Sequence, residues 1–416
     1  MIEIIIACFL GILLGTITGI FPGIHVNTSG AIIFTLSPYL LSFLSAEVLC
    51  VFLSSLAISH ALLEFIPSIL LGVPEEGTAL TILPGHRMVL EGRAKEAIRI
   101  VAIGGYGAII VTIITLPVFA LTLPYFHNIT KPYLWIFLLV VSLILVYKLS
   151  HTIKERIWSL ICFLLSGLVG WAVFETPLSS NLSLMATFTG LFGISTIIFS
   201  IGENSHIPHQ NPFVELELNK ESLKNIFLGG TTGGILGFLP GFGPAQGGII
   251  AQNITKTTDS DENASSFLMT ISGINTSDCL FSLISIYLIG NPRSGIAVFI
   301  SYLINQFSII HLLLFIFTSL ISVSLSLSLA LIIGDKFSKI IEKMDYNRMS
   351  IIAIGLMIVL VYIFTIVYHG PLWYITLILI VTTALGLIPH YLGLSKSHLM
   401  GVLILPAIII YFRMFH

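Results

Sequence analysis

The stretch GILLGTITGIFPG at residues 11–23 returns as GGTTGGILGFLPG at residues 229–241, so that every matched glycine is offset by 218 positions. Small residues at every fourth position let two helices approach closely in lipid. Packing does not explain the terminal Pro-Gly, because proline removes a hydrogen-bond donor and glycine favours a break. We therefore predict a broken helix at the same place in each half, with a mere kink as the alternative.

The same offset continues beyond these two stretches. It relates Gly30 to Gly248, Gly72 to Gly290, Pro74 to Pro292, Gly77 to Gly295 and Ala79 to Ala297. An ancestral duplication explains so many matched positions, and it predicts two transmembrane repeats at residues 1–217 and 218–416. Internal repeats of this kind are typical of secondary transporters.

The composition sets the class of protein. Of 416 residues, 56% are hydrophobic and only 9% are charged, whereas soluble chains carry roughly 25% charged residues. This excludes a soluble enzyme, a disordered protein and a disulfide scaffold, and the net charge of −2 gives no electrostatic footprint for nucleic acid. We predict an all-α polytopic protein of the cell membrane, in contact with lipid, with about 10–14 membrane segments of some 20 residues.

The membrane topology depends on two short segments, residues 29–45 and 246–262, which are too short or too polar for ordinary spans. If both cross the membrane, the two repeats are inverted; if both are re-entrant, the repeats are parallel. Basic residues cluster at 87–99 and at 336–348, and cytoplasmic loops are enriched in Lys and Arg. The inverted arrangement places both clusters in the cytoplasm, and we favour it.

One further region resembles a known family. Residues 63–79 read LEFIPSILLGVPEEGTA, followed by PGHRM at 84–88 and EGRAKEA at 91–97. Together with the Pro-Gly-x-Gly element at 240–243, these motifs resemble the large membrane subunit of the tripartite tricarboxylate transporter family. The resemblance implies a permease for citrate and similar carboxylates. It also implies two partners, a small membrane subunit and an extracytoplasmic binding protein.

The two predicted breaks form the candidate substrate site, because broken helices at matched positions mark binding sites in transporters. Their freed N–H groups and helix N-termini attract an anion such as a carboxylate. We expect the anion to contact Gly23, His25, Asn27 and Thr28 in the first break and Gly241, Gly243 and Gln246 in the second, with Pro74, Gly77, Pro292 and Gly295 closing the cavity from two flanking turns.

A second candidate group consists of polar residues within the spans, where ionisable side chains are costly and are functional candidates by default. His60 and Glu64 lie four residues apart, and Asp278 is the 218-offset counterpart of His60. Asp278 follows Asn275, Thr276 and Ser277, an oxygen-rich run that suits a hard cation. We expect these six residues to bind Na⁺ or to carry a proton as the coupling ion. For His60 and Glu64, a structural hydrogen-bonded pair is the alternative.

These observations predict a secondary transporter that moves a small organic anion by alternating access, coupled to Na⁺ or H⁺. The sequence contains no phosphate-binding G-x-x-x-x-G-K-[ST] motif and no H-E-x-x-H motif. We therefore expect no catalytic residue, no bound metal and no cofactor other than the coupling ion. An intramembrane enzyme and a channel are the alternatives.

Overall fold

The computed structural model describes most of the chain. The described residues are 2–21, 26–73, 78–150, 152–200, 208–212, 216, 218–237, 243–244, 247–248, 251, 261–290, 292–304, 306–342 and 346–415. Within these ranges the regular structure is helical and no strand occurs.

The helices of the first half are α1 (Ile2–Ile20), α2 (Val26–Thr35), α3 (Ser37–Leu40), α4 (Ala46–Leu63), α5 (Phe65–Leu71), α6 (Ile82–Leu90), α7 (Ala94–Thr130), α8 (Leu134–Lys148), α9 (Ile153–Phe174), α10 (Ser180–Phe188) and α11 (Ser195–Ser200). Those of the second half are α12 (Lys220–Leu236), α13 (Asp261–Ile289), α14 (Gly295–Leu303), α15 (Ile309–Ile341), α16 (Tyr346–Val367), α17 (Leu372–Leu392) and α18 (Gly401–Phe415). A π-helical turn, Thr189–Ile194, joins α10 to α11, and a 3₁₀ turn, Lys396–Met400, precedes α18.

Ten helical segments of the described chain are long and apolar enough to cross a membrane. Large apolar side chains such as those of Leu121 and Ile310 lie on the outer surface, 84% and 72% exposed, where lipid covers them. Several helices begin with a side chain that accepts a backbone N–H, as Ser45 does for α4 and Asn219 for α12. The prediction of an all-α, multi-pass integral membrane protein is confirmed.

Glycines bring α1 and α4 into backbone contact. Gly15 has room for no side chain, because a Cβ there would lie 2.5 Å from the carbonyl oxygen of Leu56. One turn further on, Gly19 meets His60 in the same way. Residues later in α1 therefore contact residues later in α4, so the two helices run parallel. The short helices α2 and α3 lie between them in the chain.

The second half repeats this packing. Gly233 of α12 meets the carbonyl of Ile274, and Gly237 meets that of Asp278. Both partners stand 218 residues after Leu56 and His60, so the contacts carry the same offset as the sequence. These contacts support the predicted duplication, which itself stays a prediction, as do the repeat boundaries.

The third long helix of each half packs against the other half. Gly104 of α7 lies against Met269 and Ser272 of α13, while α15 packs against α4. The start of α7 meets the end of α15, where Ile98 contacts Gly334. These two helices are offset counterparts and run antiparallel, which is the relation that inverted repeats require. The antiparallel packing supports the inverted arrangement over the parallel one, and the inversion remains a prediction.

Candidate functional site

A cavity of about 400 Å³ lies where the two halves meet. This volume falls within the roughly 300–1,000 Å³ of small-molecule sites in proteins. Its walls come from the starts of α2 and α14, the C-terminal part of α4, the middle of α13, Gly243 and Pro244, and one face of α18. Residues from both halves of the chain therefore share one chamber.

A buried carboxylate lies on the α4 wall. Glu64 is 7% exposed and His60 is 3% exposed. The amide nitrogen of Asn275, from α13, donates to Glu64 Oε1 and, at 2.9 Å, to the carbonyl oxygen of Ala61. One asparagine side chain thus joins the acidic residue of the first half to the second half.

His60 connects this carboxylate to α1. Its Nδ1 lies 3.0 Å from Oγ1 of Thr18, and its Nε2 lies 3.5 Å from Glu64 Oε2. The Thr18 hydroxyl also donates to the carbonyl oxygen of Gly15, at 3.2 Å. The predicted pairing of His60 with Glu64 is present, and both residues line the cavity together with Asn275 and Asp278.

Two of the predicted coupling residues do not line the cavity. The hydroxyl of Thr276 donates to the carbonyl oxygens of Gly105 and Ser272, at 3.1 and 2.9 Å. The hydroxyl of Ser277 donates to the carbonyl oxygens of Gly229 and Gly273. Both side chains are completely buried, and they fasten α13 to α7 and α12. Their observed contacts are those of helix packing.

The cavity also contains a cation, Arg293, on the turn that precedes α14. Burial lowers the pKa of its guanidinium from an ordinary value of 12.5, and arginine remains charged at neutral pH. Ser294, the next residue, begins α14 by accepting the N–H of Ala297 at 3.2 Å. A positive side chain and the positive end of a helix therefore reach the same chamber.

A second helix N-terminus reaches the cavity from the first half. Val26 and Asn27 begin α2 and line the chamber. Gly295 allows this approach, because a Cβ at that position would lie 2.7 Å from Oδ1 of Asn27. The starts of α2 and α14 are thus in direct contact beside Arg293. Of the predicted anion-binding residues, Asn27 and Gly243 line the cavity and Gly295 packs against it.

Several predicted substrate residues lie outside the described residues: Gly23, His25, Pro74, Gly77, Gly241 and Gln246. For Thr28 the backbone belongs to α2. Pro292 lies in the turn before Arg293. Among the described residues, no group of three or more His, Cys, Asp or Glu could hold a metal ion.

Sequence reasoning missed Arg293 and Thr18. Arg293 directly follows Pro292 in one of the flanking turns, and the rule that an ionisable residue among apolar spans is a functional candidate could have identified it. Thr18 carries no such signal, because a threonine in a glycine-rich helix is ordinary packing material. Only the register of α1 on α4 brings its hydroxyl to His60.

Comparison with known proteins gives one family. The model described as the tripartite tricarboxylate transporter TctA family matches residues 5–401. An uncharacterized protein of Methanocaldococcus jannaschii is 30% identical over 409 residues, which are 97% of this chain and 98% of that protein. An uncharacterized 52.8 kDa protein of Agrobacterium vitis is 26% identical over 262 residues, 58% of this chain and 50% of its own. No solved structure matches the chain significantly.

Proposed function

The chain belongs to the tripartite tricarboxylate transporter TctA family, and from this membership we propose that it moves a small di- or tricarboxylate through the cavity by alternating access, coupled to Na⁺ or H⁺. Membership makes the chain a permease component of a membrane transport system. It also implies partner subunits and a transported anion. The identity of the anion, the coupling ion and the alternating-access mechanism are the proposal.

The observation that carries the proposal is the charge pattern of the cavity. Arg293 and the N-termini of α2 and α14 offer positive charge and N–H donors, and Asn27 and Ser294 lie beside them. Such a group suits carboxylates, because charge-assisted hydrogen bonds from a guanidinium are among the strongest in proteins. The citrate-like substrates of the family carry the complementary charge.

The carboxylates of Glu64 and Asp278 line the same chamber and suit a coupling cation. A cation or proton held there offsets part of the negative charge of the substrate, so the two ligands favour each other's binding. A transported anion and its coupling ion then bind and leave together. In this proposal Asn275 holds Glu64 in position, and Thr276 and Ser277 hold the helix that carries Asp278.

Alternating access follows from the architecture proposed for the repeats. If the halves are inverted, exchanging their conformations converts a cavity open to one side into a cavity open to the other. The cavity lies at the junction of the halves, where such an exchange alters the access to it. The glycine contacts of α1 with α4 and of α12 with α13 keep each pair rigid, so the motion occurs between pairs.

Counterflow in proteoliposomes tests the proposed function. Vesicles containing the purified chain are loaded with unlabelled citrate and diluted into a trace of labelled citrate. We expect transient accumulation of label, which a channel does not produce and which an enzyme would accompany with a changed product. Absence of counterflow for citrate, malate and tartrate alike would overturn the proposal.

Arg293→Gln probes the anion side of the site in the same assay. Loss of a charge-assisted hydrogen bond costs about 1.5–3 kcal/mol, which corresponds to a roughly 10- to 150-fold higher half-saturating citrate concentration. Lys339→Gln is the matched control, because it removes an exposed cation at the end of α15. Equal half-saturating citrate concentrations for Arg293→Gln and Lys339→Gln would exclude Arg293 from substrate binding.

A further inference from the structure

Lys396 is buried within the helical bundle although its side chain is charged in water. It is 5% exposed and begins the 3₁₀ turn Lys396–Met400. Only five residues later, Gly401 contacts the carbonyl oxygen of Phe163 near the middle of α9. Lys396 therefore lies at membrane depth rather than in a surface loop.

The Lys396 ammonium faces three oxygens from the first half of the chain. Its Nζ donates to Ser195 Oγ at 3.0 Å, to the carbonyl oxygen of Leu191 at 3.4 Å and to Thr196 Oγ1. The two hydroxyls each donate their own proton to a carbonyl one turn back in the helix, those of Leu191 and Phe192. Their lone pairs therefore remain for Nζ, and all three partners act as acceptors.

The π-helical turn Thr189–Ile194 helps to create this arrangement. A π-helical turn changes the register of backbone hydrogen bonds and frees carbonyl groups, and such turns occur frequently at functional sites. Leu191 belongs to the turn, and its carbonyl oxygen accepts from Ser195 as well as from Lys396. The three acceptors around Nζ match in number the three N–H bonds of an ammonium group.

No carboxylate of the described residues lies within ion-pair distance of Nζ. The π-helical turn and α11 contain no titratable residue. The titratable groups on the other elements packed against Lys396 are Tyr374, His390 and Tyr391 on α17, His398 in its own turn, Cys162 with Lys154, Glu155 and Arg156 on α9, and Tyr411 with Arg413 on α18. His398 is completely buried, and neither of its ring nitrogens has a hydrogen-bond partner.

Two opposing effects act on the lysine. Burial penalises the ammonium, while three oriented acceptors stabilise it. A neutral amine has only two N–H bonds, so its formation leaves one acceptor without a donor. Gain or loss of one proton therefore changes how firmly the turn Lys396–Met400 is tied to α11.

The hydrogen bonds of Lys396 can affect the transport cavity through α18. The turn Lys396–Met400 leads directly into α18, and Leu403, Pro406, Ala407 and Ile410 of that helix form part of the cavity wall. A change at the start of α18 is thus passed to the wall through a single helix.

We propose that Lys396 is a proton-binding site of the transport cycle: when protonated it ties the start of α18 to the π-helical turn and α11, and when it loses its proton to water it releases the cavity wall. Only the N–H bond is made or broken. The inference rests on the proposed transport function and names the proton as an ion that this function uses.

The test compares two citrate assays in proteoliposomes containing the full chain. Equilibrium exchange needs no gradient, whereas net accumulation is driven by an imposed pH gradient. We expect Lys396→Met to keep exchange but to lose its pH dependence and its gradient-driven accumulation. Lys396→Arg, permanently charged, should also lose accumulation. Lys339→Met, which removes an exposed lysine, should match wild type in both assays. A wild-type pH profile and wild-type accumulation in Lys396→Met would overturn the proposal.

Ser195→Ala provides a second variant if Lys396→Met does not fold. It removes one acceptor and leaves the lysine, so the midpoint of the exchange pH profile should move about one to two units toward acid. An unchanged midpoint would overturn the proposal.

If wild type shows no exchange, the proposed function fails, and thermal unfolding of the purified protein across pH tests the proton site by itself. A pH-dependent step that is present in wild type and absent in Lys396→Met supports the site, and identical curves refute it.

Discussion

Arg99 and Asp335 form a bidentate ion pair, with Nη1–Oδ1 and Nη2–Oδ2 distances of 2.8 and 3.1 Å. The pair joins the start of α7 to the end of α15. It therefore brings Arg99, at the end of the basic cluster 87–99, next to the residue that precedes Lys336, where the second basic cluster begins. The charge argument from the sequence requires this arrangement if both clusters are cytoplasmic.

Cysteine labelling checks this topology. Within the first basic cluster, Arg87 is exposed and accessible to a thiol reagent, whereas Lys95 is only 6% exposed. Lys339 is the exposed position chosen in the second cluster. In a background without the native cysteines, Arg87→Cys and Lys339→Cys should react with a membrane-impermeant thiol reagent from the same side. Glu175→Cys, just after the end of the spanning helix α9, should react from the other side than Lys154→Cys at its start. Opposite labelling of Arg87→Cys and Lys339→Cys would contradict the antiparallel packing of α7 and α15.

The sequence could predict those features that repeat or that stand out chemically. The 218-residue offset predicted which glycines match, and the matched glycines make matched contacts with α4 and α13. Polarity within the spans singled out His60 and Glu64, which the structure brings together with Asn275. The repeat has a constant spacing, and the polarity of His60 and Glu64 is visible within a few residues of sequence, so neither signal requires knowledge of the fold.

Orientation of side chains and long-range packing could not be predicted in this way. Thr276 is polar and close to Asp278, yet its hydroxyl donates to helix carbonyls because threonine in a helix reaches the carbonyl one turn back. The hydrogen bonds of Lys396 could not be predicted, since its partners Ser195 and Thr196 are 201 and 200 positions away. No periodicity connects such distant segments.

The glycine contacts make a prediction about stability. A Cβ at Gly15 would lie 2.5 Å from the Leu56 carbonyl oxygen, and one at Gly233 would lie 2.5 Å from that of Ile274. A helix carbonyl cannot move aside as a flexible side chain can. Gly15→Ala and Gly233→Ala should therefore each lower the free energy of unfolding by about 1–3 kcal/mol. Gly355→Ala is the matched control, because nothing lies within 4 Å of a Cβ in that helix. Thermal unfolding in detergent should leave Gly355→Ala unchanged or slightly stabilised; equal losses in all three variants would contradict the close packing.

Two described residues of the segment between the halves, His209 and Gln210, make hydrogen bonds with the ends of helices. Gln210, which is 2% exposed, accepts the N–H of Ala94 at 2.9 Å and donates to the carbonyl oxygen of Val89 at 3.0 Å. Its neighbour His209 makes a hydrogen bond with Glu342 at the end of α15. This link joins the segment to both halves.

The link has a defined pH dependence. The hydrogen bond from His209 lowers the pKa of Glu342 below its ordinary value of 4.5. A carboxyl with a lowered folded-state pKa contributes stability above its unfolded pKa and loses that contribution as the pH falls through the folded value. Glu342→Gln should therefore unfold at a lower temperature than wild type at pH 7, with the difference disappearing well below pH 4.5. Glu175→Gln, an exposed change at the other end of a span, should show no such difference. A constant difference at all pH values would exclude ionisation of Glu342 as its cause.

Substitutions of the acidic residues in the cavity can distinguish binding of the coupling ion from binding of the substrate. Asp278→Asn and Glu64→Gln keep the shape of each side chain and remove its charge, and both acids line the chamber that contains Arg293. We expect Asp278→Asn to abolish citrate uptake driven by a sodium or pH gradient while equilibrium exchange continues, because exchange needs no net ion movement. Glu64→Gln retains an oxygen that can accept from Asn275, so it should fold normally and reveal any share of Glu64 in coupling.

Asn275→Ala is the informative comparison for these two variants. It removes the donor that serves both Ala61 and Glu64, leaving a buried carboxylate with one partner fewer, which costs about 1–3 kcal/mol or more for a charged group. It should therefore lower thermal stability, whereas Asp278→Asn should not. Uptake in Asp278→Asn with unchanged sodium and pH dependence would remove this residue from the mechanism. The coupling role would then pass to Glu64, the other carboxylate among the described residues that line the cavity.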